Sequence, residues 1–231
     1  MGKIMNLDLN KKKLTEINTL LQNVTYKANQ RNYVISNPNG HHAICAGLNQ
    51  NISVTVKGHA GYYCAGMNQK ANVTIEGNAG TGLAENMMSG NVHVKGNASQ
   101  SVGATAHGGT IIIDGDASSR CGISMKGVDI IVKGSVGHMS AFMAQSGSLL
   151  ICGNAGEALG DSIYEANIYI CGKVTSLGAD CIEKKITKND LTKINYLIKV
   201  GKIKKHTSKD FRKYGSARKL YNFNIENVSD Y

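Results

Sequence analysis

The stretch Val54-Thr55-Val56-Lys57-Gly58-His59-Ala60 decides the fold, because its pattern returns every 19 residues. Its glycine recurs as Gly77, Gly96, Gly115, Gly134, Gly153 and Gly172 without a slip. Four residues before each glycine stands Val54, Val73, Val92, Ile111, Ile130, Leu149 or Ile168; two before stands Val56, Ile75, Val94, Ile113, Val132, Ile151 or Ile170. Alternating β-branched residues that end in glycine describe a short strand with one buried face entering a turn. Two residues past the glycine the chain carries Ala60, Ala79, Ala98, Ala117, Val136, Ala155 and Val174, and seven past it Ala65, Ala84, Gly103, Gly122, Ala141, Gly160 and Ala179. Both columns hold small or slender residues.

A unit of 19 residues cannot bury its own apolar side, so it must stack on copies of itself. Helical repeats are longer and carry a 3.6-residue period; leucine-rich, hexapeptide and calcium-binding nonapeptide patterns are absent. The remaining architecture is all-β, a single-stranded parallel β-helix of about eight coils, roughly 35 Å long at the strand spacing. The first coil is expected from Cys45-Ala46-Gly47-Leu48-Asn49-Gln50, which recurs as Cys64-Ala65-Gly66-Met67-Asn68-Gln69. The residue before each glycine reads Lys57, Glu76, Lys95, Asp114, Lys133. In-register parallel stacking would make these alternating charges attractive neighbours.

The outward column Thr55, Thr74, His93, Ile112, Ile131, Leu150, Tyr169 turns apolar in its second half. Ile112, Ile131, Leu150 and Tyr169 are therefore the candidate interface, covered either by the chain's own tail or by a partner. Three regions follow: residues 1–33, an extension in which Leu14, Ile17 and Leu21 space as a short amphipathic helix; residues 34–181, the solenoid; and residues 182–231, a basic helix and tail. In the last, Thr187 and Asp190 form a capping pair ahead of Leu191, Ile194 and Ile198, with a stop at Gly201. Phe211, Tyr214, Tyr221 and Phe223 punctuate the basic tail that follows. Closing the open ends of the solenoid is the expected work of both termini.

The net charge of +10 divides as +4, −2 and +8 over the three regions. The central body thus offers no continuous phosphate-tracking face, and RNA binding would have to rest on the tail alone. The six cysteines show no CxxC and no zinc spacing. No segment has the ~18 consecutive apolar residues of a membrane span, and the N-terminus lacks a signal-peptide core, so a cytoplasmic chain with reduced thiols is expected.

The chemical constellations resolve into structure. Gly77-x-x-Gly80-x-Gly82 is a turn, with no long helix following to receive a phosphate. Cys45 and Cys64 share a column with Leu83, Val102, Cys121 and Leu159, which marks them as core thiols, although His42 and His59 nearby make a metal conceivable. Cys152 and Cys171 fall next to each other on the outer face. Glu85 and Asp161 share a column four repeats apart, about 19 Å, too far for a two-carboxylate mechanism. Asn78, Asn97, Asp116 and Asn154 follow the glycines as a turn ladder. No catalytic, cofactor-binding or metal residue is assigned.

The glycine-rich repeat resembles the C-terminal domain of the glutamate synthase large subunit, the GXGXG domain, and a component of formylmethanofuran dehydrogenase. The longer stretches resemble more closely the free-standing middle subunit of N-methylglutamate synthase. They are Gly61-Tyr62-Tyr63-Cys64-Ala65-Gly66-Met67-Asn68-Gln69, Ala84-Glu85-Asn86-Met87-Met88-Ser89-Gly90, Arg120-Cys121-Gly122-Ile123-Ser124-Met125-Lys126-Gly127, Gly137-His138-Met139-Ser140-Ala141-Phe142-Met143-Ala144-Gln145 and Gly160-Asp161-Ser162-Ile163-Tyr164-Glu165-Ala166. The tail stretch Arg212-Lys213-Tyr214-Gly215-Ser216-Ala217-Arg218-Lys219-Leu220-Tyr221 does so too. The resemblance spans roughly residues 34–221 and implies a right-handed β-helix. It also implies a subunit without cofactors, holding a glutaminase-like amidotransferase and an FMN and iron-sulfur synthase-like subunit in register. The alternative is an accessory subunit of a formylmethanofuran dehydrogenase-type oxidoreductase.

Overall fold

A computed structural model describes residues 4–25 and 31–217. Tyr221 and Phe223, and Arg218 to Tyr221 of the tail stretch, lie outside them. The chain winds as a right-handed parallel β-solenoid of about seven turns with short helical extensions. Its strands are β1 (Ile4–Asp8), β2 (Asn32–Ser36), β3 (Ser53–Lys57), β4 (Asn72–Ile75), β5 (Asn91–Val94), β6 (Thr110–Ile113), β7 (Lys126–Val132), β8 (Ser146–Ile151) and β9 (Asn167–Ile170), each parallel to the next. Helix α1 (Leu14–Gln22) lies between β1 and β2; β10 (Cys181–Lys184), α2 (Lys188–Gly201) and β11 (Arg212–Ser216) follow the ladder.

The register is the one the repeat dictates. Val54, Val73, Val92, Ile111, Ile130, Leu149 and Ile168 stand opposite one another from β3 to β9, and all are buried. Period-2 alternation turns every second side chain inward, so one unbroken apolar column fills the solenoid. The small column past the glycine forms a second ladder of parallel bridges, from Ala60 and Ala79 through to Ala155 and Val174.

The repeating glycines are required by close approach. Gly58 has a positive φ of 132°, but the later ones do not need left-handed backbone. A methyl group on Gly96, Gly115 or Gly134 would collide with the Oδ1 atom of Asn78, Asn97 or Asp116 in the preceding coil. Those oxygens are the rungs of the turn ladder. Asn78 Oδ1 accepts from the Asn97 amide at 2.9 Å, Asn97 Oδ1 from the Asp116 amide at 2.8 Å, Asp116 Oδ1 from the Ser135 amide at 2.7 Å and Asn154 Oδ1 from the Lys173 amide at 2.8 Å. Ser135 Oγ fills the intermediate place, accepting from the Asn154 amide at 3.0 Å.

Three features depart from the expected winding. First, β1 pairs in register with β2, Ile4 opposite Asn32 through Asp8 opposite Ser36, so the ladder begins inside the segment read as an extension. This repeat is hidden in the sequence because the chain between Asp8 and Asn32 includes α1, an insertion that breaks the 19-residue spacing.

Second, the Cys45 and Cys64 motifs do not stack in the register of their sequence identity. β2 pairs with β3 at an offset of 21 residues, Ser36 opposite Lys57. Cys45 is left-handed (φ 60°), as is Ala65 (φ 55°), and the Ala65 amide donates to the Ile44 carbonyl at 2.8 Å. Cys45 therefore stands over Ala65, in the small-residue column, while Ile44 stands over Cys64. The longer first coil absorbs the slip. Third, α2 has its left-handed cap at Lys202 (φ 53°) rather than at a glycine. Gly201 is the last helical residue, and it is small because a Cβ there would sit 3.0 Å from Ile131 Cγ2.

Both ends of the apolar column are closed. Ile17 and Leu21 of α1 are fully buried against the first coil. Asn18 Nδ2 donates to the Ala43 carbonyl at 2.8 Å, Asn18 Oδ1 accepts from the Cys45 amide at 3.0 Å, and Gln22 Nε2 donates to the Ala46 carbonyl at 2.8 Å. At the far end β11 runs antiparallel between β9 and β10, so the parallel winding stops there.

Candidate interaction surfaces

The outer strip is sealed from within the chain. Ile131, Leu150 and Tyr169 are buried beneath Ile194 and Leu197 of α2 and Phe211, with Ile112 partly buried beside them. Of the two covers read from the sequence for these four residues, the chain's own tail or a partner, the structure shows the first: they belong to a second core closed by the C-terminal region. Complete burial of a side chain of this size is worth about 2 kcal/mol, so a partner would have to displace α2 to reach them.

Polar contacts fix this clasp. The Asp190 carboxylate accepts from Tyr169 Oη at 2.8 Å, Lys213 Nζ at 2.8 Å and the Thr187 amide at 2.8 Å. It is both the capping residue read from the sequence and the centre of a buried network. Burial raises its carboxyl pKa, but the bonds from Lys213, Thr187 and Tyr169 outweigh that and hold it well below the ordinary carboxylate range. Burial, followed by the bond to Asp190, pushes the Tyr169 phenol up. Lys193 of α2 adds an ion pair with Asp129 of β7 at 2.7 Å. The sequence carried one signal for this pair, an aspartate inside the apolar run Val128-Asp129-Ile130-Ile131.

The charge column behaves in part as the alternation requires. Lys57 pairs with Glu76 at 2.6 Å, and Asp114 takes Lys133 at 2.7 Å, His93 at 2.9 Å and Lys95 at 4.0 Å. Partial burial raises the Asp114 carboxyl, but bonds from Lys133 and His93 more than compensate and lower it.

The other candidates remain structural. Cys45, Cys64 and Cys121 are buried, and burial pushes the thiols of Cys64 and Cys121 up to about 12, which keeps them protonated and unreactive. His42 and His59 spend Nδ1 on the amides of Tyr62 and Asn78, at 2.9 and 3.0 Å. Among the described residues no group of three His, Cys, Asp or Glu side chains could hold a metal ion. Glu85 and Asp161 stay four coils apart, receiving through their carbonyls the amides of Met67 and Met143. Among those residues there is also no helix long and apolar enough to cross a membrane.

Among the described residues, what remains open is the corner between the two ladders. There the backbone alternates through left-handed residues: Tyr63, Ala65 and Met67 in one coil, Gly82, Ala84 and Asn86 in the next, and Met139, Ala141 and Met143 further along. Each coil bonds to both neighbours, as when the Tyr63 amide reaches the Thr81 carbonyl of the next coil at 2.9 Å and the Ala65 amide the Ile44 carbonyl of the preceding one at 2.8 Å. The middle residue of each triplet, Ala65, Ala84 or Ala141, is fully buried and must be small. In the first of these coils the outer two project to solvent. Tyr62 and Tyr63 are 52% and 51% exposed, and Met67, Met88 and Met143 are 56%, 49% and 38% exposed. The five longer stretches of the solenoid that carry the family resemblance stack along this corner. Their apolar exposure was not legible from the repeat, because β periodicity fails where the backbone is left-handed.

A family model described as GXGXG motif matches residues 5–228. Among curated proteins, Protein GlxC of Rhizobium meliloti (strain 1021) is 52% identical over 58 residues, a stretch that covers 25% of this chain and 25% of GlxC. The solenoid register and the span of the family match agree, and the chain belongs to the GXGXG motif family, the β-helix domain of glutamate-synthase-like proteins.

Proposed function

We propose that this chain is a non-catalytic structural subunit of a glutamate-synthase-like complex of the N-methylglutamate synthase type. In that complex it holds a glutaminase-like amidotransferase subunit and an FMN and iron-sulfur synthase-like subunit in register. The observation that carries the reading is the open corner: Tyr62, Tyr63, Met67 and Met88 project from a backbone fixed by bonds to the coils on both sides. A rigid frame spares the backbone ordering cost of docking, the tyrosine rings bring large contact area at few rotatable bonds, and the pliable methionines adapt to the partner's surface. A native pull-down of the tagged chain from its source cells, with mass spectrometry of the eluate, tests it. Recovery of the two named subunit types supports the proposal. Amide or methylamine transfer by the purified chain alone would overturn it, and recovery of molybdopterin proteins would favour a formylmethanofuran dehydrogenase-type assembly.

A further inference from the structure

A cavity of about 350 Å³ lies where the segment after α2 crosses back over the solenoid. One wall carries Lys202, Lys204 and Lys205; the opposite wall carries Lys133 and Asp114, with Cys152 and Ile203 supplying apolar surface. The first wall is held by its backbone, since the Ile203 amide donates to the Ile198 carbonyl at 3.0 Å and the Lys202 amide to the Lys199 carbonyl at 3.2 Å. Ile203 also packs into the second core. On the other wall Lys133 is fixed on Asp114 at 2.7 Å.

The charge does not balance. Asp114 already serves Lys133, His93 and Lys95. Among the described residues, no carboxylate lies within ion-pair distance of Lys202, Lys204 or Lys205. Like charges gathered in a cleft with low-dielectric walls focus a field that attracts an anion. The lining contains no arginine and so no planar fork for a single carboxylate; lysines act as point charges that suit a compact anion with oxygens on several sides.

We infer that this cavity binds a small polyanion of the phosphate class, a pyrophosphate or phosphate ester, independently of the proposed docking corner. Calorimetric titration of the full chain with pyrophosphate at constant ionic strength tests it. One saturable site tighter than about 1 mM is expected. Lys204→Ala with Lys205→Ala should weaken it at least about 10-fold, whereas Lys11→Ala with Lys12→Ala, an equal charge loss elsewhere, should change it less than about 2-fold. Absence of saturable binding, equal weakening by the control pair, or equally tight binding of citrate would overturn the assignment.

Discussion

The clasped strip and the open corner are built by the same repeat, yet the described residues seal one and not the other. On the strip, strand periodicity turns Ile131, Leu150 and Tyr169 outward, and the chain supplies α2 and Phe211 to cover them. At the corner, left-handed backbone turns Tyr63 and Met67 outward, and Tyr62 and Met88 are exposed with them. No described residue covers these four to a comparable degree. Apolar exposure therefore has two origins in this solenoid, and among the described residues only one is matched by a segment of the chain.

The sharpest way to break the comparison is to loosen the clasp. Asp190→Asn leaves Lys213 without its buried partner and should cost about 3 kcal/mol, measured by urea unfolding. Because the folded-state pKa of Asp190 is depressed, its contribution is present above the ordinary carboxylate range and is lost as pH falls below it. The gap between wild type and Asp190→Asn should accordingly shrink on acidification. Gly115→Ala tests the frame shared by both regions. It should cost about 2 kcal/mol or more through its collision with Asn97 Oδ1, and Asn97→Ala in the same chain should recover part of the loss. Asn97→Ala alone, which removes one ladder bond, should cost about 1 kcal/mol. Glu76→Gln, at the exposed pair with Lys57, should change stability by less than about 0.5 kcal/mol.

The strand register was legible because apolar-x-apolar-x-Gly repeats without insertion from Val54 to Gly172. The small columns were legible for the same reason. The purpose of the glycines was not, since it depends on a side-chain oxygen from the preceding coil. The placement of Cys45 was misread because sequence identity between the two Cys-Ala-Gly stretches outweighed a one-residue slip that only backbone pairing reveals. The docking of α2 rests on Ile194 and Leu197 meeting Ile131, Leu150 and Tyr169, with the Lys193 and Asp129 pair, 64 residues apart, added to it; contacts at such separation are reported by no local pattern. The corner was visible as motif but not as surface.

Hydrogen–deuterium exchange on the chain, free and in its purified complex, addresses the central claim most directly. New protection confined to residues 61–69 and 82–90 is the predicted result. Protection that appears over α2 and leaves the corner unchanged would contradict it.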